Sequence, residues 1–137
     1  VTRFAIDPPA LLAIAGSGWS VIPAHQLVAP NSIRSDAMDL LLLRVRGGEL
    51  SEDAALDLHE RITEVRMRLL GDRVSRRTAW RIARDHDVAT MHEAEYLAVA
   101  KLQADALIAI NPKLAAIAAG VVPLAALTDV LSEVCYT

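Results

Sequence analysis

Three short runs in this chain each end where a helix begins, and that pattern restricts the fold more than any other feature. Residues 2–6 (TRFAI) stop at Asp7-Pro8-Pro9 and pass into helical sequence over 9–16, broken by Gly16-Ser17-Gly18. Residues 26–29 stop at Pro30-Asn31 and lead into a helix predicted over 32–46, which Gly47-Gly48 halts. Residues 106–110 stop at Asn111-Pro112, the opening of a last helix over 113–119. Strands joined through helices rather than two-residue turns pair in parallel, and a parallel sheet is covered on both faces. The predicted order is βαβααααβαβ. It implies an α/β fold, a three-layer α/β/α sandwich with a mostly parallel central sheet, in one domain over residues 1–137.

The middle of the chain reads as helix throughout. Ser51-Glu52-Asp53 supplies an N-cap and first-turn acids, and Ala55, Leu58, Ile62, Val65 and Leu69 recur every three or four residues, which predicts one amphipathic helix through position 69. Asp57–Arg61 and Glu64–Arg68 are acid-then-base pairs four apart, worth about 0.2–0.5 kcal/mol each on a helix. Gly71-Asp72 breaks it, and a helix from Ser75 turns Ala79, Ile82 and Ala83 inward, with Trp80 read as core or interface. Another helix starts at Thr90 and carries Leu97 and Ala100; Val121-Val122 is expected to add an edge strand.

Composition narrows the function classes. Apolar types make up 53% and charged types 23% of 137 residues, which excludes a disordered chain. The lone Cys135 excludes a disulfide scaffold and a thiolate zinc site and suits a reducing, cytoplasmic compartment. The longest uncharged apolar stretch, residues 114–127, is 14 residues with Gly120 and Pro123 inside it, too short to span a membrane. The net charge of −3 argues against coating nucleic acid by bulk charge, but it is unevenly spread. Residues 61–84 carry eight arginines against Glu64 and Asp72, a window of +6 beside a remainder of −9. That window is either a solvated helical face or a surface for phosphate or a partner. Five aromatic residues show no stacking platform for unpaired bases.

Sites in parallel α/β folds gather at the carboxyl ends of the strands. Asp7 and Asn111 stand at two such ends, and Asp36 and Glu93 lie near the starts of helices that pack nearby. Carboxylates gathered in one pocket repel one another unless a hard divalent cation neutralises them, and Mg²⁺ or Mn²⁺ fits oxygen donors. Each residue also fits a purely structural role. Asp7 can be an N-cap, Thr90 to Glu93 matches a capping box, and Asn111 before Pro112 is a turn initiator and N-cap. His25, His59, His86 and His92 lack ligand spacing and read as structural or surface residues.

Four segments, in order, resemble a PIN-domain protein of the VapC type, the ribonuclease toxin of a toxin–antitoxin pair. They are Phe4-Ala5-Ile6-Asp7; Leu27-Val28-Ala29-Pro30 with Asp36 six residues on; Thr90-Met91-His92-Glu93-Ala94-Glu95-Tyr96-Leu97-Ala98; and Ala106-Leu107-Ile108-Ala109-Ile110-Asn111. The resemblance implies an endoribonuclease that cleaves single-stranded RNA with Mg²⁺ or Mn²⁺. Asp7, Asp36 and Glu93 would be catalytic metal ligands, and Asn111 a weakened fourth. It also implies a homodimer and inhibition by a VapB-like antitoxin. Asp36 stands for a usual Glu and Glu93 for a usual Asp, which keeps the charge; Asn111 for Asp and Ala109 for Thr remove one charge and one hydroxyl. The alternative is therefore a catalytically degenerate PIN-like module that binds RNA or protein without cutting.

Overall fold

In the computed structural model, which describes residues 1–132, the elements run β1 (Thr2–Ile6), α1 (Pro8–Ser17), β2 (Ser20–Val21), β3 (His25–Pro30), α2 (Ile33–Arg46), α3 (Glu52–Glu64), β4 (Arg68–Leu70), α4 (Arg73–His86), α5 (Met91–Gln103), β5 (Ala106–Ile108), α6 (Pro112–Ala118), a 3₁₀ turn (Leu127–Asp129) and β6 (Leu131–Ser132). Strand β1 is the hub. It pairs in parallel with β3 on one side and β5 on the other, and β4 extends the sheet beyond β3. The order β4-β3-β1-β5 is parallel throughout. Helices α1, α2 and α3 pack on one another, whereas α5 lies against β1, β3 and β5 with α4 packed on it. The fold is the expected three-layer α/β/α sandwich.

Consecutive residues of the central strands are buried, as a sheet covered on both faces requires. Phe4, Ala5 and Ile6 in β1, Leu27, Val28 and Ala29 in β3, and Leu107 and Ile108 in β5 are all core residues. Complete burial of a side chain such as Ile6, Leu27 or Leu107 contributes roughly 1.5–3 kcal/mol relative to exposure. Among the described residues no helix is long and apolar enough to cross a membrane. Cys135 lies outside the described residues.

The structure corrects the sequence reading in five places. Helix α3 ends at Glu64, and residues 68–70 are the edge strand β4, so Val65 and Leu69 leave the helical stripe. From Val65 onward the true period is two: Val65, Met67 and Leu69 are half-buried while Arg66 and Arg68 are exposed. The Arg34 guanidinium donates from Nη2 to the Val65 carbonyl (3.1 Å), satisfying an acceptor at the helix end. Glu64 and Arg68 thus sit on different elements, and among the described residues neither expected acid–base pair closes to salt-bridge distance. Val121 and Val122 lie in a turn; Leu124 makes a single parallel bridge to Leu107 instead. An antiparallel pair the sequence did not signal joins Ser20–Val21 to Leu131–Ser132. Trp80 is 63% exposed on α4 and is not a core residue.

Candidate functional site

Asp7 follows the last residue of β1 and is completely buried. Its extended backbone makes it the N-cap of α1, and Pro8 at the first helical position suits that start. The Ala10 N–H donates to Oδ1 (2.9 Å) and the Asn111 N–H to Oδ2 (2.9 Å), so one carboxylate serves the ends of β1 and β5, 104 residues apart. Burial pushes the Asp7 carboxyl above its ordinary range; the amides of Asn111 and Ala10 pull the other way without cancelling it.

Asp36 sits in the first turn of α2. Ser32, the N-cap position, does not cap; its hydroxyl instead donates to Asp36 Oδ2 (3.1 Å). The Tyr96 hydroxyl also donates to Oδ2, and His92 Nε2 lies 2.6 Å from Oδ1. An ionised carboxylate only accepts, so His92 carries its proton on Nε2. Tyr96 is buried, and desolvation together with the neighbouring Asp36 carboxylate raises its pKa far above the ordinary phenol value, keeping the donor protonated.

Helix α5 brings His92, Glu93 and Tyr96 to the same place. Thr90 caps it, accepting the Glu93 N–H on Oγ1 (3.2 Å); the reciprocal bond of a capping box is not among the hydrogen bonds of the described residues. Asn111 is the N-cap of α6, and its Oδ1 accepts the Lys113 N–H (3.0 Å). The N-cap roles expected of Asp7 and Asn111 are therefore real, whereas Thr90 caps α5 without the Glu93 half of the expected box.

These elements enclose a pocket of about 240 Å³ at the carboxyl ends of the strands. Asp7, Asp36, Glu93 and Asn111 all line it, joined by Asp39, His92, Tyr96 and Lys113. Four carboxylates thus face one lysine. The N-termini of α1, α2 and α5, at Asp7, Asp36 and Glu93, supply partial positive charge that offsets part of the repulsion. Among the described residues, no three His, Cys, Asp or Glu side chains are grouped so as to hold a metal ion. The lining has the oxygen donors and the excess negative charge that suit a hard cation, and among the described residues the buried Asp7 carboxylate has no cationic partner; the side chains are not gathered into a finished coordination shell.

The fold has a solved counterpart. It is similar to PAE2754 from Pyrobaculum aerophilum, whose crystal structure matches with a TM-score of 0.66 at 20% sequence identity, over 90% of this chain and 91% of that one. At that identity the likeness speaks for the architecture. No protein-family model and no curated protein matches the chain.

Sequence reasoning missed the part played by His92 and Tyr96. His92 is exposed, as expected, yet it is also a partner of Asp36. The available signal was spacing: Tyr96 stands three residues from Glu93 and four from His92, so on a helix a Glu chosen as a site residue brings Tyr96 to the same face, and Tyr96 shares that face with His92.

Proposed function

We propose that this pocket is the centre of a Mg²⁺- or Mn²⁺-dependent endoribonuclease that cleaves single-stranded RNA, the toxin of a type II toxin–antitoxin system. The observation that carries the reading is convergence: four positions chosen along the sequence, from Asp7 to Asn111, rim one pocket at the carboxyl ends of a parallel sheet. Asp7, Asp36 and Glu93 would hold the cation. A bound divalent ion supplies an acidified water and offsets charge on a phosphodiester under in-line attack. The chain's own residues do the positioning. Backbone amides hold Asp7 from both sides; Ser32, Tyr96 and His92 hold Asp36; Lys113 stands on the rim where it can meet phosphate. A cytoplasmic location, a homodimer and a VapB-like antitoxin belong to the same reading. Purified protein with Mn²⁺ is expected to cut an unstructured RNA; protein that binds no Mn²⁺ and cuts nothing would sink it.

A second reading, a degenerate PIN-like module that binds RNA or protein, is favoured by Asn111, whose side-chain oxygen is engaged by Lys113. The Asn111→Asp variant separates the two. It restores a fourth carboxylate and raises ligand charge, so calorimetric titration should show Mn²⁺ affinity rising about tenfold or more. Cleavage appearing only in that variant would support the module; cleavage already present in the unaltered protein would support the enzyme.

The bonds to Asp36 carry their own prediction. Tyr96→Phe removes one of its donors while keeping the ring, and loss of an orienting bond of this kind typically costs about 10–100-fold in metal affinity. Mn²⁺ titration of the variant checks it, and an unchanged affinity would mean that Asp36 is no ligand.

A further inference from the structure

At the opposite end of the sheet, where β1, β3 and β4 begin, lies a second and larger cleft of about 1350 Å³. Among the described residues, Arg3, Arg61, Arg66 and Arg68 line it against a single acid, Glu64. Among the described residues none of these arginines closes an ion pair. Arg3 Nε donates to Gln26 Oε1 (3.2 Å), which ties one guanidinium to the start of β3. Trp19, 41% exposed, stands in the same lining, and Ile14, Val65 and Met67 give it an apolar floor. His25 lines it too. Its ring is set edge-on against Phe4, with centroids 5.1 Å apart, and its Nδ1 is buried with no hydrogen-bond partner among the described residues.

We propose that this cleft binds single-stranded nucleic acid, with phosphates on the arginines and a base against Trp19. Its volume exceeds the roughly 300–1,000 Å³ of a small-molecule pocket, which suits an extended chain. Guanidinium groups accept phosphate and carboxylate alike in forked pairs. The exposed indole beside apolar lining residues favours bases, since a base stacks on it where an acidic side chain does not. The inference stands apart from the acid pocket, because every residue it uses lies at the other end of the strands.

The test uses the Trp80→Phe protein, in which Trp19 is the remaining tryptophan, and a labelled oligouridylate in EDTA. Binding by anisotropy at low salt is expected to quench Trp19 fluorescence. Arg66→Glu with Arg68→Glu should weaken binding about tenfold or more and flatten the salt slope by roughly 1.4, about 0.7 for each lost phosphate contact. Trp19→Ala should weaken it about fivefold or more. Arg76→Glu with Arg77→Glu, on the exposed side of α4, should change neither readout. Absence of Trp19 quenching overturns the proposal; so does an equal loss from the α4 variant, or equal competition by polyglutamate. A salt titration of unaltered protein gives the slope without any substitution, and a slope near zero overturns it as well. No cleavage with Mn²⁺ but intact binding strikes only the ribonuclease reading; cleavage with no effect of the cleft variants strikes only this one.

Discussion

Asp7→Asn is expected to reduce Mn²⁺-dependent RNA cleavage by about 10²–10³-fold or more. Metal-borne charge stabilisation is worth several kcal/mol, and each 1.4 kcal/mol is tenfold in rate. The variant keeps the shape of the side chain but replaces one accepting oxygen with an NH₂ group that must face an N–H donor, Ala10 or Asn111. Its folding cost is therefore about 1–2 kcal/mol, from one lost cap or crosslink. This cost should depend on pH in a definite direction. The folded Asp7 carboxyl titrates above its ordinary value of 3.8, so the folded state holds the proton more tightly than the unfolded chain does. Below that ordinary value both states are protonated and the wild type has its full advantage. As pH rises through the raised folded value, a buried carboxyl must ionise, and the wild type loses stability that Asn, which does not ionise, retains. Urea unfolding in EDTA at acidic and neutral pH should thus show the gap between wild type and variant narrowing toward neutral. Cleavage that survives unchanged in the variant removes Asp7 from the site.

Asp36→Ala strikes stability and activity together. It deletes a proposed ligand and strips the acceptor from Ser32, His92 and the buried Tyr96 hydroxyl. A buried hydroxyl left without its partner costs about 1–3 kcal/mol. Ser32 stands close enough to Tyr96 to take over in part, which places the expected loss in the lower half of that range. Mn²⁺ affinity and cleavage should fall by at least about tenfold through the missing ligand charge. Asp36→Asn keeps acceptor capacity and should recover most of the stability with little of the activity. If both variants lose stability equally and keep cleavage, Asp36 is a structural residue alone.

The architecture was legible where one period ruled a segment. The runs over 2–6, 26–29 and 106–110 were short and followed by turn chemistry, and each supplied a strand of the parallel sheet, although β5 ends at Ile108 and leaves the exposed Ile110 outside it. Residues 65–69 were ambiguous, because Val65 and Leu69 satisfy both a helical step of four and an alternating step of two. The alternation of Arg66 and Arg68 with Val65, Met67 and Leu69 was the deciding pattern, visible only when the window stopped at Glu64. The antiparallel pair of β2 and β6 joins segments more than a hundred residues apart, and no local signal announces such a partner.

The site divides along the same line. Positions at strand ends could be named because the fold class says where loops converge, so Asp7 and Asn111 followed from topology and Asp36 and Glu93 from the order of segments. What each atom does could not. That Ser32 would hold Asp36 rather than cap α2, and that Asn111 would spend its oxygen on Lys113, depends on ångström-scale choices among competing partners. The exposed Trp80 shows the same limit: its neighbours on the helix resemble a buried stripe, and only the absence of a covering layer decides otherwise.

The position of β1 also sets an order of events in biogenesis. Its first neighbour, β3, is complete by residue 30, but its second, β5, starts only at Ala106, and Asp7 gains its bond from Asn111 later still. Until that length has been synthesised, one edge of the first strand stays open and half of the buried carboxylate lacks its amide. The acid pocket is therefore among the last parts to close, and a ribosome-bound chain with no β5 carries the acids of the proposed enzyme without the enclosure that would let them act.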